Sequence, residues 1–131
     1  MEGSVFVGLG NSFAPIVEGE QVTVQLGAQG LWMFVGAARV RDMEVGSDEQ
    51  RAAVQFDAIA NGRTVSLDVG CRAREFAVVG SDLEMVTPFF VALNPDFTPE
   101  LDGANVTLVV NVRDYAGRSA TDQRSIIARL P

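Results

Sequence analysis

The groups that could do chemistry in this chain are almost all carboxylates, 17 of them against ten cations that are all arginine, with no histidine and no lysine. They cluster as Asp42, Glu44, Asp48 and Glu49; Asp82 and Glu84; Asp96, Glu100 and Asp102; and Asp114 with Asp122. Converging carboxylates could hold calcium, which takes roughly six to eight oxygens at one point. No Asp-x-Asp-x-Asp-Gly loop or comparably ordered spacing occurs, so the groups read as solvated loop charge and no metal or other cofactor is expected. A carboxylate pair about 5 to 10 Å apart across a cleft could also hydrolyse a glycoside, but a small β-sandwich rarely supplies the cleft.

Nucleophilic chemistry fares no better. Ser12, Ser66 and Ser119 have no histidine or lysine to activate them, and they read as turn and surface residues. Cys71 is the only cysteine, which rules out a disulfide within the chain and a cysteine zinc site, and it is expected to be small and partly buried. Without histidine, nothing titrates near neutrality unless a carboxylate or Cys71 is strongly perturbed. Gly8-x-Gly10 resembles a phosphate loop only superficially, since no helix follows and Pro15 interrupts the segment. No catalytic, cofactor-binding or metal-ligating residue is assigned, and the chain is expected not to be an enzyme.

Two aromatic residues, Trp32 and Tyr115, could offer a ring to a sugar. Trp32 alternates with Phe34 and so belongs to a core face, whereas Tyr115 falls in a hairpin turn and is expected to be exposed. Phe89-Phe90 must send adjacent rings to opposite faces, leaving one at an interface or under a loop. The net charge of −7 and the scattered arginines argue against nucleic acid and against anionic membranes. The longest apolar stretches, Leu31 to Ala38 and Val86 to Leu93, are only strand-length, so no membrane insertion is expected.

The elements that must position these residues are strands. Two apolar runs meet at Asn61-Gly62, a pair suited to the two positive φ angles of a type I′ turn. Folding there pairs Val54 with Val69, Phe56 with Leu67 and Ala58 with Val65, while Gln55, Asp57 and Ile59 face Asp68, Ser66 and Thr64; one face is apolar and the other mostly polar. Val5 to Leu9 predicts a short edge strand. Gln21 to Leu26 predicts a strand with Val22, Val24 and Leu26 on one face, and Leu31 to Arg41 one that is apolar on both faces at its start. Arg41 to Gln50 is an acidic exposed connection. Arg72 to Gly80 gives another short strand, and Leu83 to Leu93 one that Pro88 places at an edge, bulges or splits.

In the closing third, Asp102-Gly103 leads into an alternating strand from Val106 to Val112, and Asp114 to Arg118 turns as Asp-x-x-Gly-Arg into a last strand. This resembles the final two strands of bacterial immunoglobulin-like surface modules of the PKD and fibronectin type III groups. The penultimate strand lacks the tyrosine common in antibody-type domains, and there is no second cysteine. Asn11-Ser12-Phe13-Ala14-Pro15 and Gly27 to Trp32 are similar to modules of myxobacterial envelope lipoproteins.

The sequence thus predicts an all-β, antiparallel immunoglobulin-like β-sandwich of seven to nine strands, with Met1 to Ser4 reading as an added start and 5–131 as one domain. The resemblance implies a noncatalytic interaction or spacer module of a bacterial envelope or secreted protein, located outside the cytoplasm. A protein partner would be bound through a strand edge, the first strand or the Pro88 strand, or through end loops. A module for carbohydrate or calcium is the alternative, and a small enzyme ranks third.

Overall fold

The computed structural model describes residues 4–27, 30–43, 52–67, 70–80 and 82–131. Among them the strands are β1 Ser4–Leu9, β2 Ala14–Pro15, β3 Gln21–Thr23, β4 Gln25–Leu26, β5 Trp32–Arg41, β6 Ala52–Ala60, β7 Arg63–Thr64, β8 Arg72–Arg74, β9 Phe76–Val79, β10 Asp82–Met85, β11 Phe89–Ala92, β12 Asn105–Arg113 and β13 Ser119–Arg129. A single 3-10 turn, Thr98–Glu100, precedes β12.

The strands make two sheets. Sheet A runs β2-β1-β5-β10-β9, with β4 and β11 also on β5; sheet B runs β3-β13-β12-β6-β7, with β8 also on β6. With β1-β5-β10-β9 in one sheet and β6-β12-β13 in the other, the fold is an all-β sandwich. Alternation fills the space between the sheets: Phe34, Ala38 and Val40 from β5 meet Val54, Phe56 and Ala58 from β6 and Val106, Leu108, Val110 and Val112 from β12, all essentially buried. The pairing is not wholly antiparallel, because β3 lies parallel to β13.

Among the described residues thirteen segments stand where seven to nine strands are expected, because long strands are cut where the chain changes sheets or bulges. The expected strand from Gln21 to Leu26 is two pieces. Val24 is buried between them, its N–H donating to the Arg129 carbonyl (2.9 Å), so β3 joins sheet B and β4 joins sheet A.

The Asn61-Gly62 hairpin closes as expected for its first pairs. Both residues have positive φ (52° and 75°), Ala60 lies opposite Arg63 and Ile59 opposite Thr64, and the Val65 N–H donates to the Ala58 carbonyl. Beyond that the expected register fails. The buried Ser66 Oγ accepts the Ala58 N–H at 3.0 Å, Ser66 itself bridges to Leu93, and the Leu67 N–H donates to the Ala92 carbonyl. The chain has crossed to sheet A, and Ser66 supplies the acceptor that a continuing strand would have offered, since a buried unpaired amide would cost roughly 1–3 kcal/mol. Ser66 is therefore not the surface residue its sequence context suggests. Val54 pairs with Arg72 of β8, and Asp68 and Val69 lie outside the described residues, as do Glu44 to Gln50 of the acidic connection.

The segment from Arg72 to Gly80 is likewise two strands, β8 in sheet B and β9 in sheet A, with Glu75 at the crossing. At Pro88 the expected interruption takes a definite form. Leu83 lies opposite Val40 and Phe89 opposite Gly36, so six steps along one strand match four along β5. The two extra residues bulge between β10 and β11, and because the shift is even, Leu83 and Phe89 still face the same side. Phe89 there packs against Phe56 with ring centroids 5.3 Å apart. Gly36 makes the room, since a Cβ on it would come within 2.9 Å of the Phe56 ring.

Candidate functional site

The carboxylates singled out by sequence are distributed over the molecule. On the outer face of sheet A, Asp82 pairs with Arg41 at 2.8 Å and Glu84 with Arg39. The hydrogen bond from Arg41 is the main reason the Asp82 carboxyl is held below its ordinary pKa. Arg39 and Arg41 also stack on aromatic rings, 4.4 Å from the Phe13 centroid and 5.3 Å from that of Phe6. These arginines are thus neutralised and held flat on the sheet.

Asp114 is buried and caps its own turn, its Oδ1 accepting the Arg118 N–H at 2.7 Å. Asp102 accepts the Leu130 N–H, and Glu100 sits 3.5 Å from Arg63. Asp42 ends β5 in the left-handed region, φ 58°, and its carbonyl accepts from Arg118. Among the described residues no three His, Cys, Asp or Glu side chains come together. Cys71 is exposed rather than partly buried, because it lies on the segment returning to the outside of sheet B, and its thiol donates to Gln55 Oε1 at 3.4 Å.

Trp32 and Tyr115 are placed at opposite ends of the sandwich. Trp32 begins β5, where its carbonyl meets Leu93, while Tyr115 lies past the far end of β12. Trp32 packs against the core on one side and on the other lines a hollow of about 440 Å³ with Leu31, Pro95, Pro99 and Leu130. That lining is apolar and offers a sugar few hydroxyl partners. Of the adjacent phenylalanines, Phe89 is in the core and Phe90 is 54% exposed beside Val35.

The two flanks of the sandwich, where the sheets end side by side, differ far more than any of these groups. On one flank β1 of sheet A neighbours β13 of sheet B. The Gly10 N–H donates to the Val35 carbonyl, so by antiparallel alternation the backbone groups of Val5 and Val7 point away from β5. β2 covers only Gly8 and Leu9. The Val7 N–H is instead taken by the Asp122 carboxylate of β13 at 2.9 Å, and Asp122 is in turn paired with Arg124 at 2.8 Å. Asp122 and Arg124 alternate with the exposed Thr121 and Gln123, so they point inward at an edge, and Val5 and Val7 beneath are 5% and 3% exposed. Inward charge is a device that blocks an edge from pairing with foreign strands.

On the other flank β9 ends sheet A beside β8 of sheet B. The Val86 N–H donates to the Glu75 carbonyl, which turns the backbone of Glu75, Ala77 and Val79 toward β10 and leaves that of Phe76 and Val78 facing outward. Among the described residues no strand lies beyond β9. Val78 shares the inner face with Leu83 and Val40 yet is 76% exposed, and Val79 is 48% exposed. Arg72 and Arg74 of β8 share their face with Val54 and Ala52, both core residues, and so point inward along this same flank.

Of the two strands that sequence places at an edge, β1 is the guarded one, and the Pro88 strand divides into β10, paired on both sides, and β11, whose only strand partner among the described residues is β5. On the flank beside β8, the edge left open among the described residues is β9. Nothing in Phe-Ala-Val-Val distinguishes it from an interior strand; its brevity between Glu75 and the Gly80 turn is the only local sign. Compared with protein-family models, curated proteins and solved structures, the chain matches none of them.

Proposed function

We propose that this chain is a noncatalytic interaction module that receives an extended segment of a protein partner on the free edge of β9. The observation that carries the reading is the contrast at Val78: outward backbone donors and acceptors beside an apolar side chain left 76% exposed, on a molecule whose other flank is closed by inward charge. Strand addition takes its affinity from backbone hydrogen bonds and its selectivity from alternate side chains, and β9 offers both. Supporting the noncatalytic part, the chain has no histidine or lysine, and Asp82, Glu84, Asp102, Asp114 and Asp122 each engage an arginine or a backbone amide. The setting that accompanies the reading is a bacterial envelope or secreted protein outside the cytoplasm, on the likeness of the closing strands alone. A module with an unused edge would act as a spacer.

The test is a titration of the isotopically labelled protein with a short, neutral, strand-forming peptide of alternating threonine and valine, followed by amide spectra. Shifts concentrated at Phe76 to Val79 are expected. Shifts confined to Val5 and Val7, or to the loops at either end, would overturn the assignment of the edge.

A further inference from the structure

We infer that the segment received by β9 carries a carboxylate on its inward-facing side; this rests on the strand-addition reading and adds the chemistry of the partner. A strand placed beyond β9 would bond to the backbone of Phe76 and Val78 and send alternate side chains into the gap between the sheets. That gap is lined by Phe76 and Val78 on one side and, across it, by the inner face of β8. The residues β8 presents there are Arg72 and Arg74.

Among the described residues neither arginine has a carboxylate within ion-pair distance, whereas Arg39 and Arg41 of sheet A and Arg63, Arg124 and Arg129 of sheet B do. The Arg74 Nε is buried without an acceptor; its guanidinium lies 5.2 Å from the Phe89 ring centroid, and one terminal nitrogen reaches only the neighbouring Ala73 carbonyl. A half-buried cation with an unmatched donor is costly until an anion arrives, and a carboxylate can accept from the planar guanidinium through two oxygens.

The charge of this flank selects among occupants. Among the described residues its inner face carries two cations and no counter-charge, so a segment with an acidic residue flanked by apolar ones complements it. A second copy of the chain fits less well. Pairing β9 with itself would engage four residues a side, against roughly 20–30 in a stable interface, and would bring two net charges of −7 together.

The experiment uses two capped hexapeptides, Thr-Val-Thr-Glu-Thr-Val and the same sequence with glutamine for glutamate, titrated into the labelled full chain. Both should shift the Phe76 and Val78 amides, with the glutamate peptide binding roughly fivefold tighter, the equivalent of a partly screened ion pair, and losing that margin in high salt. Arg74→Gln should make the two peptides equal. Arg72→Gln, at an exposed position, should reduce the margin if the Arg74 variant does not fold. Val78→Pro removes an N–H that no ladder bond uses and should abolish binding of both.

Equal affinities for wild type, or a preference that survives both arginine variants, would overturn the carboxylate while leaving strand addition in place. No amide shift with either peptide would overturn strand addition itself. Sedimentation showing a dimer that Val78→Pro dissolves would make the occupant a second copy and overturn the inference.

Discussion

The two flanks of this sandwich solve the same problem in opposite ways. At β1 the exposed backbone is answered from the other sheet, by Asp122 reaching the Val7 N–H, with Arg124 held beside it. At β9 the facing strand contributes Arg72 and Arg74, which can donate to a carbonyl but cannot accept from an N–H, so the outward N–H groups of Phe76 and Val78 have no answer from that strand. Closing an edge takes a side chain complementary to the backbone group in question, and inward charge of the wrong kind leaves the edge open to a partner that brings the missing sign.

Removing the guard should have the largest effect. Asp122→Ala leaves the Val7 N–H without its acceptor and Arg124 without its partner, and should destabilise the domain by about 2 kcal/mol in urea unfolding, with faster amide exchange at Val7. A loss below about 0.5 kcal/mol would mean that the two flanks differ in appearance only.

Acid should weaken the β9 side next. Asp82 lies opposite Val79 and ties this hairpin to β5 through Arg41. Its carboxyl is held below the ordinary 3.8, so the contribution is complete above that value and disappears as the pH falls through the lower, folded-state pKa. Exchange at the ladder-bonded Ala77 and Val79 amides should rise over that acid window, and Arg41→Gln should flatten the rise. The smallest effect should come from Val78→Glu, which changes an exposed edge residue: stability within about 0.5 kcal/mol of wild type, with the preference for the glutamate peptide lost.

The sequence makes local turns legible and long-range neighbours illegible. Asn61-Gly62 announces its hairpin because positive φ at two successive residues is a local demand, and Asp114 to Arg118 announces the last one through an aspartate that caps its own turn. Alternation from Val65 to Val69 is the same whether the strand stays on β6 or leaves for β11, so Ser66 reads as surface although it is the buried acceptor at the crossing. The open edge is hidden for a related reason. Whether Phe76 to Val79 has one neighbour or two depends on where β8 and β10 lie, and four apolar or small residues look alike in either case. Arg72 and Arg74 are visible as a pair, but their inward direction follows only from their being opposite Val54 and Ala52.

The bulge at Val86 to Pro88 sets a counting rule for this strand. With its flanks fixed on β5, residues can be added or removed there only in twos. A single deletion would exchange the roles of Phe89 and Phe90, sending the ring that fills the space above Gly36 into solvent and its exposed neighbour into a slot shaped for another side chain. Length variation at this point is therefore quantised by the pleat: with Leu83 and Phe89 both held against β5, the bulge can grow or shrink by two residues while the core faces of β10 and β11 stay where they are.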